Sequence, residues 1–301
     1  MNLAQNRRLS AADFHPDVLR LYDLYVHGLI DRRGFLDRAG RYAVAGTSAL
    51  AMLAALSPDF AMAQKVAPDD ARLRTEWVDI PSPLGNGQIR AYVARPAKPA
   101  GRLPLVLVAH ENRGLNPHIE DVTRRLALEN FIVVAPDALT TLGGYPGDED
   151  KARGLFGKLD LRKVAEDFVA ASNWTRALAD GNGRLGAVGF CYGGGVVNML
   201  ATRVPELLAA APFYGPAPAL DAVGNIKAEM VIVYAEKDER INASWPAYKD
   251  TLEVVGVRFQ AFIYPGTQHG FHNDTTPRYD EAAARLAWGR TLELFNRRLR
   301  A

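Results

Sequence analysis

The residues best equipped for chemistry sit in one short stretch, Gly189-Phe190-Cys191-Tyr192-Gly193-Gly194-Gly195. It follows an apolar run and precedes a helical pattern, so the cysteine falls at a strand-to-helix turn between Gly189 and Gly193. This is the G-x-S-x-G nucleophile elbow with cysteine in place of serine. The glycines are required because the nucleophile occupies a tight, strained turn where neighbouring backbones come close. The N-terminus of the following helix points partial positive charge at the sulfur and favours thiolate over thiol. A thiolate attacks carbonyl carbon, so the chemistry on offer is acyl transfer. The competing reading is a core cysteine beside packing glycines, because free cysteine is commonly buried and inert.

Two further segments supply partners in the chain order nucleophile, acid, histidine. Asp238 ends Ala235-Glu236-Lys237-Asp238, and His269 lies in Tyr264-Pro265-Gly266-Thr267-Gln268-His269-Gly270-Phe271. Each follows an apolar run that reads as a strand. An imidazole so placed moves protons, and the carboxylate fixes its tautomer and orientation. Glu236 competes for the acid role and His272 for the base. His269-x-x-His272 also has the spacing of a metal pair, but no third ligand accompanies it, so neither metal nor organic cofactor is expected.

The elements that must position these groups alternate from about Arg74 onward. Thr75–Ile80 and Ile89–Arg95 alternate apolar and polar residues around Gly85-Asn86-Gly87, the pattern of a hairpin exposed on one face. Leu105–Ala109, Phe131–Ala135, Leu185–Phe190 and Met230–Ala235 are nearly continuous apolar runs, as in parallel strands covered on both faces. Helical patterns fall at His118–Glu129, Leu161–Leu178, Gly194–Val204 and Ser244–Val255. Phe259–Tyr264 is a last strand and Tyr279–Arg298 a last helix. Such alternation gives a three-layer α/β/α sandwich on a mostly parallel sheet, with ligands bound at the carboxyl ends of the strands. The glycine-rich stretch Thr140–Lys158 reads as a long irregular loop of the kind that covers sites, with Tyr145 and Phe156 as candidates to shape a pocket.

With these residues in place, Thr75 to Leu299 resembles the dienelactone hydrolases of the α/β-hydrolase fold, whose G-x-C-x-G-G elbow is met at Gly189–Gly194. The resemblance implies Cys191, Asp238 and His269 as the catalytic set. It also implies a glutamate, Glu111, that pairs with the cysteine in the resting enzyme and takes its proton when substrate binds. The oxyanion would be held by the backbone N–H of Tyr192 and, by resemblance, that of Asn112. Dienelactone enzymes of the family carry an arginine four residues after the histidine, where this chain has Asn273. An anionic substrate therefore needs another cation, for which Arg113 is the candidate. The expected activity is cysteine-dependent hydrolysis of small esters or lactones. The alternative is a non-catalytic small-molecule binding module that kept the fold.

Composition sets limits around this reading. The 301 residues carry 36 Lys plus Arg against 34 Asp plus Glu. That balance offers no basic field for a nucleic acid backbone. A single cysteine excludes an internal disulfide and a multi-thiolate zinc site. The chain divides into an N-terminal segment, residues 1–67, and a catalytic domain, residues 68–301. In the first, Arg32-Arg33-Gly34-Phe35-Leu36, the apolar run Tyr42–Leu56 and Ala61-Met62-Ala63 resemble a twin-arginine export signal, which implies a periplasmic enzyme. The run is shorter than the roughly 20 residues a spanning helix needs. Against removal stands a helical stripe of Val18, Leu21, Tyr22, Tyr25 and Leu29, with Gly28 to close that helix and Asp31 to cap another. A retained helical hairpin, packed on a cytoplasmic enzyme or on a second copy of the chain, is the other expectation.

Overall fold

A computed structural model describes residues 8–43 and 47–300; Val44, Ala45 and Gly46 of the apolar run lie outside the described residues. Four helices come first: α1 (Pro16–Val26), α2 (Arg32–Ala39), α3 (Ala49–Leu56) and α4 (Phe60–Ala63). The strand-rich remainder runs β1 (Leu73–Ser82), β2 (Gly87–Pro96), β3 (Leu103–Ala109), α5 (Pro117–Leu128), β4 (Ile132–Pro136), α6 (Glu149–Phe156) and α7 (Leu161–Arg176). It continues with β5 (Gly181–Phe190), α8 (Tyr192–Arg203), β6 (Leu207–Phe213), β7 (Glu229–Lys237), α9 (Glu239–Asn242), α10 (Trp245–Val254), β8 (Phe259–Gln268) and α11 (Glu281–Leu299).

The eight strands form one sheet in the order β1-β2-β4-β3-β5-β6-β7-β8. The β1–β2 and β2–β4 pairs are antiparallel and every other pair is parallel. The continuous apolar runs are buried on both faces, as their composition requires. Along β3, Leu105, Leu107 and Ala109 join the core beneath α7, α8 and α10, while Val106 and Val108 join the core beneath α5 and α11. Strand β7 splits the same way, with Met230, Ile232 and Tyr234 on one face and Val231, Val233 and Ala235 on the other. This period-2 division is what a pleated strand imposes on a continuous apolar run.

Two elements depart from the sequence expectation. Leu207–Phe213 is an interior strand that the sequence reading passed over. Its alanines favour helix by propensity, yet Ala209, Ala210 and Ala211 are wholly buried inside the sheet, and Gly194 of α8 lies against the carbonyl of Phe213 at the strand's end. Within the stretch expected to be irregular, Glu149–Phe156 is a helix, opened by the Asp148 side chain accepting from Lys151 N at 2.8 Å.

The N-terminal helices build a small core of their own from Val18, Tyr22, Tyr25, Phe35, Leu53 and Leu56. Pro16 occupies the first turn of α1, and Asp31 caps α2 by accepting from Gly34 N at 2.7 Å. The expected stripe ends early: Leu29 is exposed, because α1 stops at Val26 and Gly28 turns the chain with φ +74°. The paired arginines take different roles. Arg32 meets Asp150 of α6 at 3.2 Å, and Arg33 faces solvent. Among the described residues, no helix is long and apolar enough to cross a membrane.

Candidate active site

Cys191 closes β5 and stands immediately before α8, with φ +56° and ψ −116°. A left-handed φ is costly for a residue with a Cβ and persists only where surrounding structure imposes it. Here the Cys191 N–H donates to Phe213 O at 3.0 Å, and its carbonyl accepts from Gly194 N at 3.0 Å. A side chain at Gly189 would collide with the backbone of Gly193, and one at Gly193 with the carbonyls of Ala109 and His110. The elbow glycines are thus fixed by backbone packing. Tyr192 is the first helical residue, so its N–H has no partner within α8 and points outward with the helix dipole.

Asp238 follows β7 and His269 follows β8, and the two meet with Nδ1 of His269 2.5 Å from Oδ2 of Asp238. Both are buried. A ring nitrogen of His269, Sγ of Cys191 and a ring nitrogen of His27 lie within 4.8 Å of one another. Burial alone pushes the Cys191 thiol up, but the imidazoles of His269 and His27 outweigh it and bring the thiol down to about 6. Burial pushes His269 down, and the thiolate and Asp238 outweigh that, leaving it raised to about 10. Sulfur and ring therefore favour a thiolate–imidazolium pair.

The competitors are placed elsewhere. Glu236 accepts from Gly266 N at 2.8 Å and braces the turn inside β8. His272 is buried between Phe190, Phe213 and Trp288, with ring centroids 5.0–5.1 Å away. Burial, reinforced by the charge of His118, holds it down at about 3, so it is a neutral core histidine.

Glu111 lies on the loop after β3 but is engaged by an amide, with Asn273 Nδ2 donating to its Oε2 at 2.9 Å. Among the described residues, no hydrogen bond joins it to Cys191, so the resting pair implied by the resemblance is replaced by a Glu111–Asn273 pair. Asn112 and Arg113 both donate to Val26 O, at 2.9 and 3.1 Å, and Arg113 Nε lies 3.5 Å from Glu149 Oε2. Arg113 therefore ties α1 to this loop as well as lining the cavity. Tyr145 donates to Glu149 at 2.9 Å, and the ring of Phe156 meets that of Tyr192 edge-on at 4.7 Å.

Above the sulfur is a cavity of about 410 Å³ lined from both parts of the chain, including Tyr25 and His27 of the N-terminal segment and Arg113, Tyr145, Cys191 and Arg278. The sequence reading missed His27, Arg278 and Tyr214. His27 caps the C-terminus of α1, where a histidine is unremarkable. Arg278 is buried, 3.5 Å from Asp23, with Nε and Nη1 making no hydrogen bond. Tyr214 holds φ +37° and sets its ring 5.0 Å from His269. His27, Cys191 and His269 also have the closeness of metal ligands. The guanidinium of Arg240, 2.9 Å from His27 Nε2, places a permanent cation beside them, which suits a thiolate better than a metal ion.

The mostly parallel sheet, the helices on both faces and the cysteine elbow define an α/β-hydrolase. The chain belongs to the dienelactone hydrolase family, whose sequence model matches residues 89–299, and it is an ester or lactone hydrolase. A second model, described as YqhI-like, matches residues 5–44. An Escherichia coli (strain K12) protein named "Putative carboxymethylenebutenolidase" is 32% identical over 76% of this chain and 88% of its own length. Another from that strain, "Putative hydrolase fragment YghX", is 48% identical over 36% of this chain and 94% of its own length. The crystal structure of a "Putative Dienelactone Hydrolase" from Klebsiella pneumoniae subsp. pneumoniae MGH 78578 superposes with a TM-score of 0.64 at 27% identity, covering 74% of this chain and 98% of that one.

Proposed function

We propose that this protein hydrolyses small esters or lactones through an acyl-enzyme on Cys191, with His269 and Asp238 completing a catalytic triad. The observation that carries the reading is a strained, buried cysteine beside an imidazole whose other nitrogen is 2.5 Å from a buried carboxylate. The thiolate attacks the carbonyl carbon, forming the S–C bond, and the carbonyl electrons move onto oxygen. The N–H groups of Tyr192 and Asn112 receive that oxyanion. Collapse expels the alkoxide, which takes a proton from an imidazolium beside the sulfur. Acylation removes the thiolate charge that holds His269 protonated. The neutral ring then takes a proton from water, the hydroxide attacks the thioester, and the thiolate returns.

Of the three arginines that line the cavity among the described residues, Arg32, Arg113 and Arg278, the last two are the candidates for a substrate carboxylate, opposed by Glu111, Asp148, Glu149 and Asp150. The N-terminal segment remains in the working enzyme in this proposal, because its helices supply part of the cavity wall. Intact mass of the protein from its native host tests that point: a chain retaining His27 is expected, and one beginning at Gln64 would overturn it.

Cys191→Ala is expected to reduce hydrolysis of short activated esters to background while the melting temperature stays within a few degrees. Acid-quenched wild type mixed with a slow ester should carry the acyl mass on the peptide containing Cys191. Retained turnover in Cys191→Ala would remove the sulfur from the mechanism.

A further inference from the structure

His27 stands at the end of α1, yet its Nε2 lies 3.5 Å from Cys191 Sγ. Its Nδ1 is 2.8 Å from the backbone oxygen of Asp23 and 3.3 Å from that residue's Oδ1. The ring is therefore oriented by the backbone carbonyl of Asp23, with that residue's carboxylate at ion-pair distance, whereas His269 is held by the Asp238 carboxylate itself. The two imidazoles meet edge-on, with centroids 4.7 Å apart and planes at 81°. Two Asp–His pairs converge on one sulfur.

The approach of α1 is built in. Its last turn presents two carbonyls, and side chains of the hydrolase domain take both: Asn112 and Arg113 bind Val26 O, and Arg153 binds Tyr25 O at 2.5 Å. Arg278 reaches Asp23. The positive φ of Gly28 lets the chain leave directly after the histidine. Glu111, the carboxylate that the family resemblance assigns to the thiol, is meanwhile occupied by Asn273.

We propose that His27 is a second catalytic imidazole, supplied by the N-terminal segment, which accepts the Cys191 thiol proton at Nε2 and delivers it to the departing alkoxide. This inference rests on the cysteine-hydrolase reading. The proton balance is closed: it leaves sulfur for His27, the thiolate adds to the carbonyl, and His27 gives it to the alkoxide as the C–O bond breaks. His269, protonated at rest, gives its proton to solvent once acylation removes the thiolate charge. Held by Asp238, it then takes a proton from water in the second half of the cycle, while His27 regains a proton from solvent. The charged groups facing His27 are Asp23 on its own helix, Cys191, His269, and Arg240 at 2.9 Å from Nε2. Arginine only donates, so Arg240 engages Nε2 only when the ring is neutral. Burial also disfavours the charged ring, but the Cys191 thiolate and Asp23 outweigh it and raise His27 above its ordinary value. Arg240 is exposed, and the ring takes the thiol proton at Nε2 only when that guanidinium is off it.

The test is stopped-flow hydrolysis of p-nitrophenyl acetate together with the pH profile of iodoacetamide alkylation, using the full chain and His27→Ala. The acylation burst is expected to slow by about a hundredfold, the loss of a general acid–base group, with deacylation changed less than about twofold. The alkylation midpoint should rise by about one pH unit, as when an opposite charge within ion-pair distance is lost. Added imidazole should restore part of the burst. His27→Gln fills the same space without titrating and repeats the test if the alanine variant does not fold. An unchanged burst and alkylation profile, or a faster burst, overturns the inference while leaving a Cys191-dependent hydrolase in place. A wild-type enzyme that turns over no ester overturns the hydrolase reading first, and this assignment with it.

Discussion

The amide of Asn273 donates to the carboxylate of Glu111 across 2.9 Å, and that bond redefines a position the family resemblance assigns to the cysteine. Glu111→Gln tests the consequence. An amide at 111 can still pair with Asn273, so the thiol's alkylation profile and kcat/KM should change by no more than about threefold. A fall of about a hundredfold, the usual loss with a general base, would return Glu111 to the sulfur.

The pair formed by Cys191 and His269 sets a pH window. The thiol is brought down to about 6 and the imidazole raised to about 10. Thiolate reactivity should rise through a midpoint near 6, well below the roughly 8.5 of a free thiol, and hold level until the imidazolium titrates. The stability signs follow. The depressed thiol contributes stability that is present above its unfolded value and lost as pH falls through 6. The raised imidazole contributes stability that is present below about 6.5 and lost as pH rises through 10. Alkylation rates with iodoacetamide between pH 5 and 10 check this, and a midpoint near 8.5 would contradict it.

Asp238 holds the tautomer of His269 by an Nδ1 contact of 2.5 Å and is itself fixed as the cap of α9, accepting from Ile241 N. Asp238→Asn keeps the shape but offers an N–H or a weaker acceptor to that ring. In the serine triad used as a general template, the equivalent change costs about 10⁴ in kcat. A loss of at least about a hundredfold is expected here, read by steady-state hydrolysis at pH 7. A variant within about threefold of wild type would show that the carboxylate does not orient the base.

Arg278 is buried at the cavity wall with Nε and Nη1 unbonded, whereas Arg113 is shared among Val26, Asn112 and Glu149. Arg278, held by Asp23 at 3.5 Å and by the Tyr22 ring but with two nitrogens free of hydrogen bonds, is the better placed to receive a substrate carboxylate. Arg278→Ala should raise KM about tenfold or more for an ester bearing a carboxylate, the scale of one charged hydrogen bond. KM for its neutral methyl-ester counterpart should move little. Equal losses on both substrates would assign Arg278 to holding Asp23 and α1 instead.

Legibility in the sequence followed how local the cause was. Strands β3, β4, β5 and β7 announced themselves because both faces are buried, so every residue in the run must be apolar. The elbow was legible because backbone collisions at Gly189 and Gly193 leave no residue but glycine. Strand β6 was not, since its run of alanines carries helix propensity and only its burial between β5 and β7 makes it a strand. His27 was the hardest to see. Its local surroundings are those of an ordinary helix end, and its contact with Cys191 spans most of the chain. Arg278 and Tyr214 likewise gain their positions from packing across elements.

The last prediction tests whether the N-terminal helices belong to the enzyme's cooperative structure. Phe35 directly follows the Arg-Arg-Gly stretch that resembles an export signal, and it is wholly buried against Tyr22 and Tyr25, with ring centroids 6.4 and 5.7 Å away. Those tyrosines lie on α1, which carries His27 to the sulfur. Phe35→Ala would leave a cavity in this small core, a change that costs about 3–5 kcal/mol in buried sites. With so few residues in that core, α1 is expected to loosen from the loop of Asn112 and Arg113. Thermal melting should then show an early transition absent from wild type, and Cys191 alkylation should shift toward higher pH, as in His27→Ala. A melt and an alkylation profile both identical to wild type would mean that the helices rest on the hydrolase domain without contributing to its site.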